Sequence, residues 1–218
     1  MNLSTFHANR FVADAAKTRE MQRGFVRFFR KGETVADLGC GEGIFLGLLQ
    51  ESGVHGVGVD LTEGYVDGIR KRGMEAHCAD VFDFLRAHPN AFDGVIASHL
   101  IEHFPAAQGL QLLQAMHDSL RSGGRIILVT PTYRDLLVSG ERFWLDITHV
   151  RPYPLLLLTS LFEHLGLEIV DSGADPATRI RPSIVHPRSF VRYWIAKSRF
   201  GKYYDTGDTF IVGKKAGL

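Results

Sequence analysis

Apolar positions change period along the chain, and the changes mark out its elements. From Ala8 to Phe29 they recur at helical spacing, with Phe11, Ala15, Thr18, Phe25 and Phe28 or Phe29 on one stripe. Then the pattern alternates. ETVADLG reads as a strand and GIFLGLLQESG as a helix ended by Gly53. VHGVGVD is a strand, EGYVDGIRKRG a helix, MEAHCAD a short strand, and VFDFLRAHP a helical turn or two stopped by Pro89. AFDGVIASHL holds a strand of buried type, PAAQGLQLLQAMHDSLRSGG a helix with a glycine stop, and RIILVTP the next strand. Strands alternating with helices predict right-handed βαβ units around a parallel sheet.

The last third differs. Pro131 to Pro154 is loop-like, LLLLTSLFEHLG is a helix, and LEIVDSG and DTFIVGKK are strands. These two strands flank an insertion with no obvious crossover helix, so an antiparallel pairing at one sheet edge is expected. The insertion, 176–206, sets Arg179, Arg181, Arg188, Arg192, Lys197, Arg199 and Lys202 against one acid, Asp205, and interleaves Phe190, Tyr193, Trp194, Phe200, Tyr203 and Tyr204. It reads as a cap gripping an acidic or phosphorylated acceptor, as a peripheral contact with anionic lipid, or as a solvated helix.

The chain of 218 residues is 45% hydrophobic and 22% charged, which suits one domain over 1–218 with 1–30 as an N-terminal helical cap. A net charge of +1 points to no nucleic-acid partner. Cys40 and Cys78 make no metal-ligand spacing, so no metal is expected, and they suit a reducing compartment. No signal-type segment is visible, so a cytoplasmic protein is expected.

The informative stretch is VADLGCGEG. Glycine is costly to order, yet Gly39, Gly41 and Gly43 follow a strand directly, as a turn does when backbone N–H groups must approach a ligand. Asp60, at the end of the next strand, is placed to accept from both hydroxyls of a ribose, at roughly 1.5–3 kcal/mol per bond. Asp37, just before the loop, would repel a pyrophosphate and welcome an ammonium or sulfonium. That sign disfavours a nicotinamide dinucleotide.

VADLGCGEG resembles motif I of the class I S-adenosylmethionine-dependent methyltransferases, and VGVD, CADVFDF, FDGVIASHLIEHF and LRSGGRIILVTP resemble their following segments in order. The resemblance implies a Rossmann-like doubly wound α/β sheet of seven strands, mostly parallel with an antiparallel last strand. It implies S-adenosyl-L-methionine as cofactor, bordered by Asp37, Gly39, Gly41, Gly43, Asp60, Leu61, Asp80, Val81, Ser98 and His103, with Asp80 on the adenine amine and Val81 on its ring. The segment FWLDITHVRPYP is similar to one in bacterial methyltransferases of surface-polysaccharide (O-antigen) assembly. Asn9-Arg10-Phe11 and Gln22-Arg23 resemble an N-terminal element of that group, whose Arg-Phe-Arg-Gly run reads Arg10-Phe11-Val12-Ala13 here.

Methyl transfer needs collinear positioning and removal of the acceptor's proton. His99 and His149 are the candidate bases. His149 has Asp146 to orient it and Arg151 to bind an acidic group, or the three staple a loop. His99 is otherwise a loop histidine, and His103 shapes the cofactor pocket more than it acts as base. Trp144 and Tyr153 line the acceptor pocket or pack the loop, and Cys40 is a small buried filler. The reading is a methyltransferase acting on oxygen or nitrogen of a small-molecule or glycan acceptor. A quinone-precursor methyltransferase and a non-catalytic cofactor-binding subunit are the alternatives.

Overall fold

Strands with apolar residues on both faces must be covered on both sides, and the chain supplies that cover from alternating helices. A computed structural model describes residues 14–131, 143–178, 187–200 and 207–217. Its strands are β1 (Thr34–Leu38), β2 (His55–Asp60), β3 (Glu75–Cys78), β4 (Phe92–Ser98), β5 (Leu120–Thr130), β6 (Leu167–Ala174) and β7 (Thr209–Lys215), in the order β3-β2-β1-β4-β5-β7-β6. β7 lies antiparallel to both β5 and β6, and the other pairs are parallel. The antiparallel edge expected from spacing is therefore present.

Each strand divides its side chains between two cores. In β5, Ile126 and Leu128 face one side, Ile127 and Val129 the other, all nearly inaccessible to water. Helices α4 (Val81–Ala87), α5 (Ala106–Ser119) and α6 (Leu155–His164) close the first face through Phe84, Leu112, Met116, Leu158 and Phe162. On the second face α2 (Ile44–Glu51) and α3 (Glu63–Lys71) bring Phe45, Leu46, Leu49, Val66 and Ile69. Two strand glycines mark the closest approaches: a Cβ on Gly94 of β4 would strike the Phe29 ring, and one on Gly213 of β7 the Phe162 ring.

The single N-terminal helix expected to Phe29 is shorter. α1 (Ala15–Arg23), capped by the Asp14 side chain, tightens at Gly24–Phe28 into a 3-10 turn that rolls Phe25 and Phe29 into the core. Residues 8–13 of that expectation lie outside the described residues. The expected glycine stop after α5 is also different. β5 begins at Leu120, opposite Phe92, and five residues later Arg125 stands opposite Gly94. Gly123, with φ +77°, and Gly124, packed against the Arg121 and Asp93 carbonyls, absorb this bulge within the strand.

Within the insertion, α7 (Pro187–Phe200) is helical and exposes Phe190, Val191, Trp194 and Ile195. Arg179, Arg181, Lys202, Tyr203, Tyr204 and Asp205 lie outside the described residues. Among the described residues no helix is long and apolar enough to cross a membrane.

A Cβ at position 94 would run into the buried Phe29 ring, so Gly94→Ala should overpack that face. A loss of about 1–3 kcal/mol is expected, read as a lower urea midpoint with unchanged slope.

Candidate functional site

Strand order reverses between β1 and β4. After β1 the chain builds outward through β2 and β3, then returns to place β4 on the other side. The carboxyl ends of these two strands border the crevice where open α/β sheets bind ligands. Asp37 and Leu38 of β1 register against Ile96 and Ala97 of β4 there.

The glycine loop leaves β1 and is laced to the end of β2. Gly39 and Cys40 both donate to the Val59 carbonyl, at 2.8 and 3.1 Å. Asp60 accepts Gly41 N on one oxygen, at 2.9 Å, and Thr62 N on the other, at 2.8 Å. Gly39, Gly41 and Gly43 have φ of +68°, +51° and +72°, a region where a side chain would be strained. A Cβ on Gly43 would also meet Ile69 at 2.6 Å, whereas one on Gly41 would meet nothing within 4 Å. Bare peptide therefore faces an open side, and the Asp60 carboxylate keeps acceptor capacity for ligand hydroxyls.

Asp37 beneath this loop is 4% exposed, and no described residue hydrogen-bonds its carboxyl. Burial, aided by the Asp60 charge, pushes its pKa up to about 8. Such a group is satisfied by a cation arriving over the loop. An adenosine carrying an ammonium and a sulfonium fits this set: hydroxyls for Asp60, peptide with no side chain in the way at Gly41, positive charge for Asp37. Burial and the same two acids push the Cys40 thiol far up, so it is an inert filler.

Leu61 follows Asp60 with its side chain 72% exposed. Asp80 caps α4, accepting from Phe82 N and Asp83 N on one oxygen, and Val81 is buried behind it. Ser98 and His103 border a second region, a cavity of about 550 Å³ that also meets Gln22, Phe25, His99, Leu145, Asp146, His149 and Asp208.

A carboxylate that sequence reasoning left in a supporting role organises that cavity. Glu102 is wholly buried. Its Oε2 accepts from Thr130 Oγ1 at 3.1 Å, while Oε1 has no hydrogen-bond partner among the described residues. His99 Nδ1 stands 3.5 Å and His149 Nε2 4.0 Å from Oε1. His99 sits at φ +53°, uncommon for a residue with a side chain. Its ring bridges Glu102 to Asp208, with Nε2 3.2 Å from Asp208 Oδ2. Burial opposes its charge, but the two carboxylates outweigh burial and hold its pKa well above the usual value. The two acids thus favour the protonated form of His99.

His149 is oriented by a backbone carbonyl, with Nδ1 2.7 Å from Phe143 O. The expected partner, Asp146, lies 3.8 Å from Nε2 and instead accepts from Thr148 N and Oγ1. Thr148 Oγ1 in turn meets His103 Nδ1 at 2.9 Å. Burial lowers the His103 pKa. Trp144 is exposed and packs edge-on against Phe143. Tyr153 is buried under Gly109 of α5, where it packs the core rather than lining the cavity, and Arg151 lies over its ring at 4.9 Å. Asp208 carried no sequence signal, because it precedes the last strand without a motif. Glu102 did carry one, the Glu-His pair.

A family described as a methyltransferase domain matches residues 9–172. The chain is 32% identical over 105 residues to a tRNA (carboxymethyluridine(34)-5-O)-methyltransferase of Xenopus tropicalis, 48% of this chain and 16% of that protein. It is 30% identical over 105 residues to a ubiquinone biosynthesis O-methyltransferase of Aromatoleum aromaticum, 45% of this chain and 44% of the other. The matches span less than half of those relatives. Its fold is similar to that of a SAM-dependent methyltransferase from Archaeoglobus fulgidus, with a TM-score of 0.78 at 22% identity over 98% of this chain and 100% of the other.

A raised carboxyl pKa has a thermodynamic consequence. Between the ordinary 3.8 and about 8, folded Asp37 keeps a proton that the unfolded chain releases. Stability of the ligand-free protein should fall as pH rises through that window, by on the order of 1 kcal/mol per unit. Asp37→Asn should flatten this slope and be the more stable form at pH 8, measured by urea unfolding at pH 5 and 8.

Proposed function

The chain belongs to the methyltransferase-domain family, and from that premise we propose that it is an S-adenosylmethionine-dependent enzyme that methylates an oxygen or nitrogen of a small-molecule or glycan acceptor seated in the cavity of about 550 Å³. The single observation that carries this reading is the juxtaposition of two polar centres. The Asp37–Asp60 crevice suits a cationic nucleoside. Beside it, Leu100 packs over Gly39, and the neighbouring His99 and His103 line a cavity that joins polar groups to apolar walls such as Phe25 and Leu145, suited to an acceptor.

The cofactor supplies an electrophilic methyl group, and the protein's part is to hold, orient and deprotonate. Asp60 holds the ribose hydroxyls, Gly39 and Gly41 admit the amino-acid part against peptide, and Asp37 pairs with its ammonium. An ammonium beside Asp37 drives off the proton that this carboxyl holds in the ligand-free protein, so cofactor uptake releases a proton and tightens as pH rises toward 8. His99, whose protonated form Asp208 and Glu102 favour, offers positive charge to electron-rich acceptor groups in the cavity. His149, with Nδ1 held by a carbonyl, turns Nε2 toward Glu102, lines the cavity, and is the residue assigned to activating the acceptor. Positions 145, 146 and 149, from the segment similar to polysaccharide-assembly enzymes, form part of the cavity wall, which supports a sugar hydroxyl as acceptor. The likeness to a ubiquinone-pathway O-methyltransferase supports a phenolic precursor as the second reading.

Labelled methyl transfer should distinguish these acceptors. Uptake into a sugar or nucleotide-sugar pool is expected, and uptake confined to quinone precursors would move the assignment to the second reading. Asp60→Ala should weaken S-adenosylhomocysteine binding at least about tenfold in calorimetry, given ~1.5–3 kcal/mol per charged hydrogen bond. His149→Ala should lower kcat by about 100-fold or more with cofactor affinity unchanged.

A further inference from the structure

The hydrogen bonds around Glu102 fix the tautomers of two histidines. Thr148 Oγ1 gives its only proton to Asp146 Oδ1, at 2.7 Å, so toward His103 Nδ1, at 2.9 Å, it can only accept. The His103 ring therefore carries its proton on Nδ1 and its lone pair on Nε2. At His149 the partner of Nδ1 is the Phe143 carbonyl, which likewise only accepts. That turns its Nε2 toward Glu102 Oε1, 4.0 Å away, an oxygen of a wholly buried side chain with no hydrogen-bond partner among the described residues. His99 Nδ1 approaches the same oxygen at 3.5 Å, and a carboxylate oxygen has lone pairs enough to take a cation beside it from the two anchored rings.

One ligand atom from each of Glu102, His103 and His149 lies within 4.8 Å of the other two. Two imidazoles and a carboxylate suit borderline divalent cations of the zinc, cobalt and nickel kind. Each imidazole is anchored through its far nitrogen, one by a carbonyl and the other by a threonine backed by Asp146, which is the support that metal-binding histidines receive.

We propose that Glu102, His103 and His149 form a site for one zinc-type divalent cation, with a remaining coordination position open to the acceptor cavity. The site deepens the acceptor assignment and rests on it only for its purpose: the cation would bind an acceptor oxygen and make it easier to deprotonate, with the proton leaving to solvent. Sequence spacing gave no sign of it, because a Glu-His pair and a histidine 46 positions further on match no metal pattern. His99 is the natural competitor. Its Nδ1 is 3.5 Å from the same Glu102 oxygen, but its other nitrogen is committed to Asp208, so it stays outside the ligand set.

The test uses the full chain, free of affinity tags and stripped with a chelator. Titration with Co²⁺ should give visible ligand-field bands that saturate at one equivalent, and Zn²⁺ should displace the Co²⁺. Glu102→Gln and His149→Gln should each weaken Co²⁺ binding about 100-fold or more, while His99→Asn keeps the one-equivalent site. Thr148→Val leaves all three ligands in place and removes only the anchor of His103; it should weaken binding about tenfold or more with near-ultraviolet circular dichroism unchanged, which keeps the test decisive if the buried Glu102 variant misfolds. No saturable bands, or bands of equal affinity in the His149 and Thr148 variants, would overturn the site. Cofactor calorimetry on the same stripped protein reads the methyltransferase assignment separately, so the two can fail independently.

Discussion

Two carboxylates buried at the ends of parallel strands, Asp37 after β1 and Glu102 just after β4, govern the rest of this molecule. Moving an acid into a poorly solvated crevice is costly unless positive charge or hydrogen bonds meet it. The fold meets each one incompletely. Asp37 keeps its proton up to about pH 8 instead of finding a partner, and Glu102 satisfies one oxygen through Thr130 while the other stays open. Asp37 has no cationic partner among the described residues, and Glu102, with His99 beside it, keeps one oxygen without a hydrogen bond among them. Stability is given up at those two points so that ligands can restore it.

The surrounding architecture makes that sacrifice tolerable. Both faces of the sheet are sealed by apolar helices, and the strand centres are almost wholly dry. Asp37 and Glu102 lie at the carboxyl edge, where the chain reverses its build direction between β1 and β4. The glycine loop and Asp60 then form a rigid rim. Each loop amide that could collapse onto Asp37 is instead held by Val59 or by Asp60. The crevice is pre-shaped, so little order has to be gained when a ligand arrives.

The second cavity is assembled from distant parts of the chain. His99 comes from the end of β4, Phe143 to His149 from the segment before α6, and Asp208 from the approach to β7. A buried glutamate in contact range of two histidines, themselves fixed by a carbonyl and a threonine, couples these segments electrically. Moving any one of them would change the charge balance at the others.

The alternating apolar pattern was enough to place all seven strands, their helices and the antiparallel edge, because period and length are local properties that burial on two faces enforces. The glycine loop and its two acids were legible for the same reason: Asp37, the three glycines and Asp60 are tied by short-range geometry at consecutive strand ends. Other features were decided only by tertiary packing. The N-terminal stripe tightened into a 3-10 turn because Phe25 and Phe29 had to reach the same core. β5 began before its glycines because Leu120 found a place opposite Phe92. Tyr153 was drawn under α5, away from the acceptor cavity, by the space at Gly109. Asp146 turned to Thr148, leaving His149 to a backbone carbonyl, and Asp208 came from far along the chain to charge His99. Hydrogen-bond partners and pKa values depend on which atoms meet in space, and no periodicity along a chain encodes that.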